Sequence, residues 1–149
     1  MPGSPRPRPP LARRLTQLAL VLLAGVVVVA VGIPLAHERA LRQLRHEATS
    51  ALEHVQASEE AYFLEHGRYA ESLSAPAPGG LGLPQRSVGG HYRLILEVSH
   101  GPGGPSFFVE ARIAQADADP RCAHFSLNRE GVRGAQGADG RDHTDDCWR

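Results

Sequence analysis

Residues 15–36 read LTQLALVLLAGVVVVAVGIPLA, 22 positions from Leu15 to Ala36 without one charged side chain. At about 1.5 Å of rise per residue, a helix of that length matches the hydrocarbon thickness of a bilayer. The run therefore predicts a membrane-spanning helix, whose backbone satisfies its own hydrogen bonds in lipid. A cleaved secretory signal needs a shorter apolar stretch and a small-x-small site. Val31-Gly32-Ile33 fits that poorly and Pro34 follows it, so a retained single-pass anchor is expected. Before the span stand Arg6, Arg8, Arg13 and Arg14 with no acid among them; after it stand Glu38 and Arg39, of opposite sign. The positive-inside rule then makes residues 1–14 a basic cytoplasmic leader and exports everything beyond residue 36.

The formal net charge of zero hides this asymmetry. Removing the four leading Arg leaves 12 Arg against 16 acids, an acidic body behind a basic tail. Beyond residue 14 the Arg are scattered and not interleaved with aromatics, which argues against nucleic-acid binding. Aromatic residues make up 5% of the 149 positions, with 16 Gly and 12 Pro, so any exported domain is small and leans on a cross-link or on assembly for stability.

Outward from the span, Pro34 lacks the N–H that would bond the Ala30 carbonyl, and it either kinks the helix or ends the membrane segment. Leu41, Leu44, Ala48, Leu52 and Val55 recur at intervals of 3 or 4, with Ala61 and Tyr62 extending the face and Arg42, Arg45, Glu47 and Glu53 on the other sides. That pattern predicts an amphipathic continuation over 37–66, capped at Gly67. Residues 67–90, rich in turn formers around Ala75 to Gly80, read as a connecting loop too poor in apolar residues to pack.

In the rest, 91–149, Tyr92, Leu94, Leu96 and Val98 alternate with Arg93, Ile95 and Glu97, and Phe107, Val109, Ala111 and Ile113 repeat the pattern. These are two half-buried strands joined by a hairpin loop at 101–105, and 122–127 followed by Asn128 to Gly131 suggests a third. The fold class is α+β, a long N-terminal helix packed on a small antiparallel meander, because the apolar face of such a sheet must be covered.

Cys122 and Cys147 both fall on the exported side, where an even pair is expected to be bridged. The bridge would close a loop holding Gly131, Gly134, Gly137 and Gly140. Two metal readings compete with it: zinc on Cys122, His124, His143 and Cys147, and calcium on Asp139, Asp142, Asp145 and Asp146. His37, His46, His54 and His66 are spaced by 9, 8 and 12 along the helix and define no ligand cluster. His46-Glu47 begins like a zincin helix, but Ser50 stands where the second His belongs. Neither a nucleophile elbow nor a phosphate loop is present, and no enzyme, cofactor or resident metal is expected.

The order of these parts is that of a known family. A basic tail, an apolar helix ending in Gly32-Ile33-Pro34, an amphipathic continuation, Phe63-x5-Tyr69-Ala70-x-Ser72-Leu73, a meander, Cys122 and a terminal Cys147-Trp148 together resemble a type IV pilin, most closely the small E-type minor pilins. The resemblance covers roughly residues 12 to 149. It implies a noncatalytic subunit of a type IV pilus or related filament, held in the inner membrane with its head in the periplasm. Its partners would be other pilins or pseudopilins, packed against Leu18, Leu22, Val26, Val29 and Pro34, together with the assembly platform and the lipid bilayer. Aligning Pro34 with the family's helix proline sets Ala12, Arg13 and Gln17 where the family's peptidase site carries Gly, Phe and Glu. A degenerate processing site implies the alternative of an unprocessed membrane protein whose pilin-like periplasmic head serves a pilus or type II secretion machine as an accessory partner.

Overall fold

The computed structural model describes residues 11–149, with side chains from residue 13; the start of the basic leader, Arg6 and Arg8 included, lies outside the described residues. The described residues divide into two compact units, the first ending at residue 40 and the second covering 41–149.

In the first unit, helix α1 covers Leu11–Val27, a π-helical turn covers Val28–Gly32, and helix α2 begins at Ile33. The interruption expected at Pro34 thus takes a specific form. Proline offers no N–H to the turn before it and its ring crowds the carbonyl four residues back. The chain relieves this by widening over 28–32 and then resumes α-helix through the proline, so the helix neither ends nor breaks there.

In the second unit, α2 continues to His66 and ends as the sequence indicates: Gly67 adopts φ 69° and its N–H donates to the Phe63 carbonyl at 2.8 Å. Four strands follow, β1 Tyr92–Gly101, β2 Gly104–Ile113, β3 His124–Asn128 and β4 Arg133–Gln136, then a short helix α3, Thr144–Cys147. They form one antiparallel sheet in chain order, with Leu94 opposite Ala111, Val98 opposite Phe107, Val109 opposite Leu127 and Phe125 opposite Ala135. These alternate positions point to one face. There Tyr92, Leu94, Phe107, Val109, Ala111, Phe125, Leu127 and Ala135 meet Ala48, Leu52 and Val55 of α2 in a single core. Each large side chain so buried contributes about 1.5–3 kcal/mol.

Several boundaries differ from the sequence reading. The β1–β2 hairpin is tighter than a 101–105 loop, since pairing runs on to Gly101 and Gly104 and leaves a two-residue turn. The third strand starts at His124, so Cys122 lies before it and not within it. The fourth strand, Arg-Gly-Ala-Gln, buries one residue, Ala135, and offered no alternation to detect. Residues 67–90 hold no regular element, yet they do pack: Tyr69, Ala70 and Leu73 are buried in the core, contrary to the expectation of an unpacked loop. The segment is folded back on itself, with Leu81 N–H donating to the Ser72 carbonyl at 3.0 Å and Leu83 N–H to the Leu73 carbonyl at 2.8 Å. Gly80 makes that return possible, because a Cβ there would collide with the carbonyl oxygens of Ser72 and Ala75.

Candidate functional site

Two sets of residues carry the chemistry of this chain. The first is the apolar helix. Its most apolar 18-residue window has a mean hydropathy of 2.9 and none of it is buried, so the helix is long and apolar enough to cross a membrane. Leu18, Leu22, Val26 and Val29 fall on one stripe and are 60%, 70%, 64% and 61% exposed. Leu20, Val21, Leu23, Val28 and Val31 on the other sides are as open, so the segment is apolar all round, as a helix in lipid is. Pro34 is exposed next to the π-turn. Ala12, Arg13 and Gln17 all lie in α1; Arg13 and Gln17 are exposed, and the hydroxyl of Thr16 donates to the Arg13 carbonyl at 3.0 Å.

The second set lies in the head. Cys122 and Cys147 are bridged, 25 residues apart, with Cα atoms 5.8 Å from each other and both residues buried. The bridge ties the segment before β3 to α3. Next to it the Trp148 indole N–H donates to the Gly134 carbonyl at 2.9 Å, its ring meets Phe125 edge-on at 6.0 Å, and the Arg133 guanidinium lies 4.8 Å above it. The bridge removes both cysteines from the zinc set. Among the described residues no group of three or more His, Cys, Asp or Glu is gathered to hold a metal, Asp139, Asp142, Asp145 and Asp146 included.

Three side chains of α2 fasten the head, and the sequence marked none of them. The Glu47 carboxylate accepts from the Ser87 hydroxyl, from the Gly89 N–H at 3.0 Å, from the His91 N–H at 3.3 Å and from the His91 ring at 2.8 Å. Burial pushes this carboxyl up, but the hydrogen bonds from Ser87 and His91, with the charge of His91, outweigh it and hold the group below its ordinary value. Arg45 forms a two-pronged pair with Asp119, at 2.7 and 3.2 Å, and the Asp119 side chain is 2% exposed. Asp119 also accepts the Cys122 N–H at 3.2 Å, so the helix, the pair and the disulfide form one connected structure. Between these anchors the Tyr92 hydroxyl is buried without a partner, and burial, with the negative charges of Asp119 and Glu47, drives its ionisation far upward.

The third is Glu59, 0% exposed, on the core face where Ala61 was expected; Ala61 is exposed. The signal was present, since 48, 52, 55, 59 and 62 continue the 3-and-4 spacing and only the charge of Glu argued against it. Glu47 and Arg45 gave no such signal, because their partners lie 40 or more residues away. The arrangement binds segments of one chain to each other.

No protein-family model, curated protein or solved structure matches this chain.

Proposed function

We propose that the chain is a type IV pilin-like subunit, a noncatalytic minor pilin anchored in the inner membrane that takes part in assembling a type IV pilus or a related filament. The observation that carries this reading is an apolar stretch of helix, 18 residues of it with none buried, in the same chain as a small disulfide-closed head. Exposed apolar surface of that extent needs lipid or other helices around it, and a pilin uses both in turn. The order of parts described above adds the family, with other pilins or pseudopilins and the assembly platform as partners. The N-terminus is cytoplasmic and the head periplasmic by the charge asymmetry across the span.

A second reading is favoured by Ala12, Arg13 and Gln17, an unprocessed single-pass protein serving a pilus or type II secretion machine. Gln17 can hydrogen-bond but has no charge to pair with a neighbour's amino terminus. Intact mass of the membrane form, measured in a cell that cleaves ordinary prepilins, separates the two. A mature chain beginning near Arg13 and recovered in sheared filaments supports the subunit. A full-length chain confined to the membrane supports the accessory protein.

A further inference from the structure

Glu59 is the one charged-type residue of α2 with no exposed surface, and its two oxygens are in different situations. Oε2 accepts the Ala70 N–H at 2.9 Å; Oε1 is buried without a partner. A buried carboxylate ion needs several donors to replace its lost hydration, and a single amide is far short of that. The neutral acid keeps the Ala70 bond through Oε2 and leaves one hydroxyl unpaired, a much smaller penalty.

The groups around it do not rescue the ion. On α2, Glu60 adds a second negative charge and its carboxylate accepts from the Tyr69 hydroxyl at 3.4 Å; His66 is turned to the Tyr62 carbonyl at 3.1 Å. On the following segment, Tyr69 presents its phenol to Glu60, Arg68 donates to the Pro78 carbonyl at 3.2 Å, and Glu71 is exposed. From the β3–β4 turn, Arg129 sits 6.0 Å over the Tyr69 ring and spends a donor on the Pro105 carbonyl at 2.9 Å.

We propose that Glu59 is a pH-operated latch: as the neutral acid it holds the segment from Gly67 to Leu83 on the helix, and loss of its proton releases that segment and uncovers Tyr69, Ala70 and Leu73. The proton leaves to water and no other bond is made or broken. Burial first, then the charge of Glu60, raises the carboxyl above its ordinary value, against the pull of the Ala70 amide. For an acid raised in the folded state, the latch is at full strength below the unfolded ionisation point and weakens as pH rises toward the folded one. Across that window the opening constant rises with pH, by at most about tenfold per unit, and above it levels off.

The test uses the full chain in detergent micelles. Carbon-13 labelling of Glu side chains reads the Glu59 carboxyl directly, and amide exchange at Ala70, corrected for the intrinsic hydroxide dependence, reads opening. The expected result is a Glu59 midpoint above that of the exposed Glu residues, with corrected Ala70 exchange rising with pH below it, by at most about tenfold per unit. Glu59→Gln, a permanent neutral analogue, is expected to remove that slope and keep Ala70 protected. A Glu59 midpoint in the ordinary carboxylate range overturns the proposal, as does flat corrected exchange at Ala70 or an undiminished slope in Glu59→Gln. Should that variant not fold, the two readings on the unaltered chain decide the matter.

Discussion

Glu47 gathers four hydrogen bonds from Ser87, Gly89 and His91 onto one carboxylate, so its removal strands several donors at once. Glu47→Ala is expected to cost about 2 kcal/mol, the scale of hydrogen bonds to a charged group, read as a lowered midpoint in denaturant titration. Its pH dependence has the opposite sense to that of Glu59. With its ionisation depressed in the fold, Glu47 contributes fully above the unfolded value, and the contribution disappears as pH falls through the folded one. Melting at falling pH should therefore lose less stability in Glu47→Ala than in the unaltered chain; equal losses would show that the clasp does not work through the charge. Gly89 belongs to the same clasp, because a Cβ there would stand 2.8 Å from the His91 ring and 2.9 Å from the Glu47 carboxyl carbon. The Arg45–Asp119 pair is more deeply placed. Truncating one member leaves the other uncompensated, so Asp119→Ala should cost about 3–5 kcal/mol. Replacing both with apolar residues should cost less than that, a double-mutant cycle that separates pairing from desolvation.

At the scale of elements, the helix and the first three strands were legible because apolar periodicity survives in the sequence: period 3.6 along α2, period 2 along β1 and β2. The fourth strand was not, since a strand of four residues with one buried side chain has no period. Nor was the packing of 67–83, where the decisive residues Tyr69, Ala70 and Leu73 are irregularly spaced and the chain return at Gly80 depends on backbone bonds. The bridge between Cys122 and Cys147 was readable from compartment logic alone. Its partner bonds were not, because Asp119 and Arg45 are far apart in the chain. Closing a loop of separation 25 is worth about 3.5 kcal/mol in the chain-entropy model. Cys122→Ser with Cys147→Ser is expected to lower stability by about that amount. Thiol labelling of the unaltered chain should fail before reduction and succeed on both cysteines after it.

For the whole molecule, the decisive quantities are the four Arg ahead of the apolar helix segment and the absence of charge over residues 15–36. A reporter active only outside the cytoplasm, fused after Arg149, should be active; a cytoplasm-only reporter working there would reverse the proposed orientation. Drawing an uncleaved leader into a filament's apolar core would bury cationic groups at several kcal/mol each. Ala12→Gly, Arg13→Phe and Gln17→Glu together should therefore raise both cleavage and recovery in sheared filaments. Abundant processed protein in filaments without these changes would remove the accessory reading.

The chain has a single Trp, and it stands immediately after Cys147, wedged between Phe125 and the Arg133 guanidinium with its indole N–H fixed to Gly134. Disulfides quench excited indoles at short range, and emission shifts to longer wavelength when an indole meets water. The molecule thus contains an optical gauge of its own. Brightening at constant wavelength marks reduction of the bridge in a closed head, whereas a red shift marks departure of the C-terminal turn from the sheet. One cuvette, excited where Trp148 alone absorbs, distinguishes chemical opening from mechanical opening without any added dye.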